Sequence, residues 1–306
     1  MEQNKIYLSV VLSTYNEEKF IAKSIQSILD QTYPYFEFII VNDGSTDGTL
    51  EVVLSFDDPR IIIIDKPNSG LPDSLNKGIE KAQYDWIARM DGDDIAEPTR
   101  FENQIRYIDN AVGVIGGQFR EIDEDGNYRF QNISRKPLTS GKCKRWILFG
   151  MSPLAHPSVL VRKSLLQEFG GYDANFKAAQ DIELWSRLSP STTIINIPDV
   201  VLKYRKHSNN ITNKRQELQR KLTFMGFLKY ALKIRKPLNE SEFKRFEDIF
   251  ANNGLLEKNA RFFESSHSCT GIKRPILLVL YYAWRLQLLL RLRLRYKSYS
   301  KQILSK

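Results

Sequence analysis

The sequence predicts an α/β fold, a mostly parallel central sheet flanked by helices, with a helical C-terminal extension. Three observations predict it. Short apolar runs alternate four times with segments of helical period between residues 6 and 90. The links between them are short, as crossovers between neighbouring parallel strands require. From about Thr212 the chain becomes poor in strand formers and rich in Lys and Arg.

The elements follow in order. Ile6 to Leu12 is an apolar run with two valines, the pattern of a strand buried on both faces. After the polar stretch Ser13–Glu18, residues Phe20, Ile21, Ser24, Ile25, Ile28 and Leu29 recur at helical spacing. Phe36 to Val41 is a second strand, Leu50 to Phe56 a helix and Arg60 to Ile64 a third strand. Pro67 and Gly70 mark a loop before a helix over Leu71–Ala82, and Trp86 to Met90 is a fourth strand. Beyond it the pattern loosens. Strands are expected at Val112–Ile115, Tyr128–Phe130, Ser158–Val161, Thr193–Ile197 and Val200–Tyr204, with an Asp-rich turn at Asp123–Asn127. The polar break Ser208-Asn209-Asn210 places a boundary near 208–214, which gives one domain over 1–210 and a basic helical region over 211–306.

Composition narrows the class. Two cysteines, Cys143 and Cys269, exclude a disulfide scaffold and a multi-cysteine metal cluster. The opening residues lack a basic stretch followed by an apolar one, which predicts a cytoplasmic chain. The net charge of +9 conceals an asymmetry. Residues 1–200 carry 21 Lys and Arg against 29 Asp and Glu; residues 201–306 carry 24 against 7. An acidic body therefore bears a basic tail.

Open parallel sheets bind ligands at the carboxyl ends of their strands. That edge receives Thr14–Glu17, Asp43–Ser45 and Asp91–Asp94. No glycine-rich phosphate loop follows the first strand, which counts against P-loop NTPases and dehydrogenases. Asp91, Asp93 and Asp94 are like charges within one turn and repel unless a cation neutralises them; oxygen donors select Mg²⁺ or Mn²⁺. The plainer alternative for this run is a solvated turn or a helix N-cap.

Taken together, Val10–Glu17, Val41–Asp47, Asn68-Ser69-Gly70, Asn76-Lys77-Gly78 and Met90–Asp94 closely resemble family 2 glycosyltransferases of GT-A fold, a Rossmann-like architecture. His156–Val159, Gly170–Asp173, Gln180–Trp185 and Tyr204–His207 are similar to that family's later motifs, so the match spans residues 6–207. The resemblance implies an inverting transfer of a sugar from a nucleoside-diphosphate donor, UDP-linked in most relatives, to an acceptor hydroxyl, with Mn²⁺ or Mg²⁺ as cofactor. It implies that Asp43 accepts a hydrogen bond from the donor's base, with Ser45 beside it; the alternative for Asp43 is a turn-starting residue before Gly44, and both can hold. Thr14, Tyr15, Asn16 and Glu17 would contact nucleoside and phosphate. Arg89 would pair with a phosphate or a neighbouring aspartate, Asp91 would face ribose or sugar, and Asp94 would support the loop. Asp93 would bind the metal, and His207, two residues after Arg205, is placed like a late metal or diphosphate ligand. Arg205 would serve the donor.

Asp181 matches the family's general base, which takes the acceptor hydroxyl's proton. The usual Glu-Asp is here Gln180-Asp181, which leaves the base but not its acidic neighbour. Asp181 otherwise reads as the N-cap of a helix over Ile182–Leu188. Trp185 is either core or an acceptor platform, and His156 either borders the acceptor cleft or is structural. Ser13 stands where relatives often carry Pro.

Residues 275–296 mix Leu, Trp and Tyr with Arg. Arg285 and Gln287 interrupt the run, which argues against a bilayer span of about 20 apolar residues. An interfacial helix at the cytoplasmic face, near a glycan or lipid-linked glycan acceptor in cell-surface polysaccharide biosynthesis, fits that mixture. A helix packed on the first domain, or a dimer contact, is the alternative. Two other functions were weighed. A nucleotidyltransferase would carry a basic, glycine-rich segment at Ser13–Glu18. A nucleic-acid binder would need separate aromatic stacking motifs, whereas the basic residues of the tail lie among leucines, so no nucleic-acid partner is expected.

Overall fold

The computed structural model describes residues 5–129, 133–207, 216–252 and Leu288. It divides into two compact units, one comprising Met1–Lys144, Pro153–Tyr172 and Ser191–Asn210, the other Arg145–Ser152, Asp173–Pro190 and Ile211–Lys306.

The first unit is built on β1 (Leu8–Thr14), β2 (Phe36–Asn42), β3 (Ile61–Asp65) and β4 (Trp86–Asp91), all parallel. They are linked by α1 (Ile21–Leu29), α2 (Thr49–Leu54) and α3 (Leu71–Lys81). Every residue of β1 and of β2 is buried, which is why both read as unbroken apolar runs. One face of the sheet (Leu8, Val10, Leu12, Phe38, Ile40, Met90) shares a core with Ile21, Ile25 and Ile28 of α1. Each fully buried Leu, Ile or Phe contributes about 1.5–3 kcal/mol, and this core holds α1 on the sheet. On the other face α3 comes close to the sheet at Gly78, where a side chain would strike Val11.

Beyond β4 come β5 (Ile95–Ala96), α4 (Arg100–Ile105), β6 (Val112–Ile122), α5 (Ser140–Leu148), β7 (Leu160–Arg162), α6 (Lys163–Phe169) and β8 (Thr193–Arg205). Among the described residues the sheet has eight strands in the order β3-β2-β1-β4-β7-β6-β8-β5. The two expected strands after Thr193 are one. Pro198, which has no N–H to give, sits where pairing with β6 jumps from Gly116↔Asn196 to Gln118↔Val200. The expected strand at Tyr128 is a single bridge to Ile122, and Phe130 lies outside the described residues. Chain order runs outward from β1 through β2 to β3, then returns to β4 on the other side of β1. That reversal opens a crevice at the carboxyl ends of β1 and β4.

The second unit holds α7 (Gln180–Leu188), α8 (Gln216–Ala231) and α9 (Glu240–Asn252). Its core joins Phe176 and Ile182 to Phe224, Met225, Phe227, Leu228, Phe246, Phe250 and Leu288. Asn239 caps α9: its side chain accepts the Glu242 N–H at 2.9 Å, while Glu242 accepts the Asn239 N–H at 2.9 Å. The expected break at 208–214 falls outside the described residues, and so does the 275–296 segment apart from Leu288. Among the described residues no helix is long and apolar enough to cross a membrane.

Candidate active site

Strand register delivers the predicted residues of the first unit to one edge. Ser13 pairs with Asp91 and Thr14 with Asn42, so the loops after β1, β2 and β4 leave the sheet side by side. The first two are knitted together. Asn16 adopts φ 55°, a left-handed conformation that Asn tolerates better than most residues. In that pose its N–H donates to Ser45 Oγ at 3.0 Å and its side-chain oxygen accepts the Thr46 N–H at 2.8 Å. The Glu17 N–H donates to Thr49 Oγ1 at 2.8 Å, and Thr14 Oγ1 donates to Glu17 Oε2 at 3.0 Å. Tyr15 remains exposed.

Asp43 is buried and ionised. Burial alone would raise its carboxyl, but Lys66 and the backbone N–H groups of Ser69 and Gly70, both at 2.9 Å, hold it below the ordinary carboxylate range. Lys66 was missed in the sequence. Its signal was available, since it follows β3 at the same ligand edge as the other three loops.

The acidic cluster lies at the end of β4. Asp91, Asp93 and Asp94 bring ligand oxygens within 4.8 Å of one another. Burial, then Asp93 and Asp91, push the Asp94 carboxyl well above its ordinary value, and the same causes in the same order raise Glu17. Asp94 accepts the Arg205 N–H at 2.7 Å through one oxygen; the other is buried without a hydrogen-bond partner among the described residues. His207 Nε2 lies 2.9 Å from Asp93 Oδ2. At Gly92 a β-carbon would collide with the Glu17 carboxyl group, which would have to shift to admit it. Excess negative charge, a buried oxygen without a partner and an imidazole beside Asp93 together fit a divalent cation.

The cations around this cluster have different tasks. Arg89 is 3% exposed and ion-paired with Asp91, yet its Nε and Nη1 have no hydrogen-bond partner among the described residues. Arg205 is fully buried and its guanidinium donates to three carbonyls: Asp93 at 2.7 Å, Asp123 at 2.9 Å and Glu124 at 2.8 Å. It also lies over the Phe20 ring at 4.8 Å. Arg205 thus braces the backbone of the Asp93 loop. His156 pairs with Tyr172 Oη at 2.7 Å, and burial followed by the charge of Arg89 keeps it neutral. Asn76 holds Tyr172 through that residue's N–H at 2.8 Å and C=O at 2.9 Å.

Asp181 belongs to the second unit. It is not an N-cap: Ala179 occupies that position, and Asp181 stands inside the first turn of α7. Its carboxylate accepts the Ser152 hydroxyl at 2.9 Å. Ala179 adopts φ 58°, ψ 23°, a left-handed conformation that costs an alanine about 1–3 kcal/mol and concentrates at functional turns. Trp185 is fully buried, hence core rather than an exposed platform.

Comparison with known proteins adds an independent line. The family model described as Glycosyl transferase family 2 matches residues 9–170, and Glycosyltransferase like family 2 matches residues 122–264. The chain is 32% identical over 215 residues to the amylovoran biosynthesis glycosyltransferase AmsE of Erwinia amylovora, covering 68% of this chain and 79% of that one. Among solved structures it resembles S. aureus TarS 1–349 in complex with UDP-GlcNAc, at TM-score 0.62 and 18% identity, over 92% of this chain and 81% of that one. It spans 43% of a longer TarS chain. It also resembles the mannosyltransferase PcManGT from Pyrobaculum calidifontis in complex with GDP-Man and Mn²⁺, at TM-score 0.57 and 17% identity, over 98% of this chain and 86% of that one.

Proposed function

The chain belongs to glycosyl transferase family 2 and has the GT-A fold, and from that premise we propose that it moves a sugar, with inversion, from a nucleoside-diphosphate donor to an acceptor hydroxyl. The observation that carries the proposal is the convergence at the β1/β4 crevice. There an acidic cluster combines unbalanced charge with an imidazole, and a hydrogen-bonded Asp43 follows β2 on the same sheet edge. UDP-linked sugars are the first candidates, because a structural relative was solved with UDP-GlcNAc.

In this reading Asp43 accepts the N–H of the donor's base, and Thr14–Glu17 with Ser45 line the nucleoside and phosphates. The paired, buried guanidinium of Arg89 turns its two unpartnered N–H groups toward donor oxygens, and Asp91 faces ribose or sugar. Asp93 and His207 are the residues that would hold Mn²⁺ or Mg²⁺, with Asp94 in support and Arg205 fixing the loop. Such an ion, when bound, neutralises the diphosphate and the charge that develops on the leaving group. Asp181 takes the proton of the attacking hydroxyl as the bond to the anomeric carbon forms and the bond to the diphosphate oxygen breaks, releasing the nucleoside diphosphate.

The kinship with AmsE suggests polysaccharide assembly, with a glycan or lipid-linked glycan as acceptor. The Leu- and Arg-rich stretch 275–296 would then touch anionic headgroups at the cytoplasmic face. If deletion of residues 275–306 leaves fractionation with membranes unchanged, that part fails. The donor is tested by thermal shift of the full chain against UDP-, GDP- and dTDP-sugars with and without Mn²⁺. A ligand at about 100 times its Kd stabilises by about 2.7 kcal/mol, an easily read shift. No response to any member of the panel would overturn the donor reading.

A further inference from the structure

The second unit contains four charged side chains with almost no exposure: Asp173, Glu183 and Lys229 at 0% and Arg187 at 1%. Arg187 grips Glu183 through Nε and Nη2, both at 2.7 Å. Lys229 donates to Glu183 as well, and to Asp173 Oδ2 at 2.7 Å. Asp173 further accepts the N–H and the side-chain amide of Asn175, at 3.0 and 2.7 Å, and the Leu238 N–H at 3.3 Å. Two anions and two cations balance, so the cluster sits at neutral charge away from water.

Its placement relative to Asp181 is the informative feature. Lys229 fastens residues 173 and 183, which lie on either side of the turn Ala179-Gln180-Asp181. That turn contains the left-handed alanine, and α7 begins without any side-chain cap. A β-carbon residue in the left-handed region persists only where the surroundings over-determine it. The buried Ala179, the Glu183 N–H on its carbonyl at 3.1 Å and the Ser152 hydroxyl on Asp181 hold the turn from within, and the ammonium gripping both flanks adds the constraint that spans it. Gly226, one turn before Lys229, brings α8 close: a side chain there would lie 3.6 Å from the Glu183 Cα.

We infer that Lys229 is a positioning residue for Asp181, a clamp on α8 that holds the base-bearing turn in its strained conformation. This rests on the reading of Asp181 as base. Removing the ammonium leaves Glu183 paired with Arg187 but Asp173 buried with only the neutral donors of Asn175 and Leu238, and such an uncompensated charge is relieved by movement or protonation of the flanks.

The test uses the full chain and nucleotide release from whichever of UDP-GlcNAc and GDP-Man gives the larger Mn²⁺-dependent thermal shift, with water as acceptor. Lys229→Met should lower kcat by about tenfold or more, since a misplacement of about 1 Å can cost about 100-fold, with donor KM within about twofold. Lys229→Arg should recover part of the loss. In an Asp181→Asn background Lys229→Met should cost nothing further, because residues acting through one group are not additive. A near-normal kcat for Lys229→Met, or an equal fractional loss in both backgrounds, overturns the clamp. If Lys229→Met does not fold, Asp173→Asn is read by the same criteria. Asp181→Asn at the unaltered rate sinks the base reading itself; a slow Asp181→Asn beside a normal Lys229→Met sinks the clamp alone.

Discussion

Arg205→Lys tests how the metal-binding loop is built. The wild-type guanidinium is fully buried and donates to the carbonyls of Asp93, Asp123 and Glu124 while lying over Phe20. An ammonium keeps the charge and three N–H donors but not the planar span of the guanidinium, so it cannot serve the carbonyls held by Nε and by Nη1 together, and two of the three bonds should be lost. Hydrogen bonds to charged groups contribute about 1.5–3 kcal/mol each; these carbonyls belong to half-buried residues that water partly serves, so the expected loss is about 2–3 kcal/mol. At about 2–4 °C per kcal/mol for a unit of this size, Tm falls by about 4–12 °C. The apparent Mn²⁺ affinity falls too, by about tenfold if about 1.4 kcal/mol of loop order is lost. The assay is differential scanning fluorimetry across a Mn²⁺ titration. Arg106→Lys serves as control, because its pair with Glu102 is exposed and worth about 0–1 kcal/mol. If Arg205→Lys melts within about 2 °C of the control and binds Mn²⁺ equally well, Arg205 is not the brace of this loop.

Three further outcomes follow from the geometry. Gly92→Ala drives a methyl into the Glu17 carboxylate, and calorimetry should find UDP affinity reduced by about 1–3 kcal/mol without any change in charge; unaltered affinity would show that the two loops have slack. Burial would raise Glu183, but Arg187 and Lys229 hold it below its ordinary value; its contribution to stability is therefore complete above about pH 4.3 and is lost as pH falls through the lower folded value. Glu183→Gln should flatten that part of the urea-stability profile, and an unchanged slope would refute the assignment. Cys143 is fully buried with its thiol pushed up to about 11 by desolvation, so in a Cys269→Ser background Ellman's reagent at pH 8 should label it only on unfolding. Labelling at the rate of a free thiol would contradict that burial.

The parallel half of the sheet was legible because β1, β2 and β4 are buried on both faces and so read as continuous apolar runs. Their ends ran further than hydrophobicity indicates, to Thr14, Asn42 and Asp91, because ladder pairing continues into polar residues. The strand expected in two pieces, Thr193–Ile197 and Val200–Tyr204, is continuous because the register shift opposite Gly116 and Gln118 accommodates Pro198. The strand expected at Ser158–Val161 is β7, displaced to Leu160–Arg162 by the short helical turn His156–Ser158, and only its antiparallel place between β4 and β6 left no trace in periodicity. At the site, residue types named the acidic edge, but roles that depend on distant partners were hidden. Arg205 could be read as a donor contact because its carbonyl partners lie up to 112 positions away. Lys229, 46 positions from Glu183, looked like one more charge of a basic tail.

The central claim is that a nucleoside diphosphate binds at the β1/β4 crevice with a divalent cation on Asp93. Calorimetric titration of UDP and of GDP into the full chain tests it most directly, with Mn²⁺, with EDTA, and with Mn²⁺ in Asp93→Asn. One nucleotide should bind with Mn²⁺ and weaken by about tenfold or more, about 1.4 kcal/mol, in both other conditions. Equal binding in all three, or none in any, would contradict it.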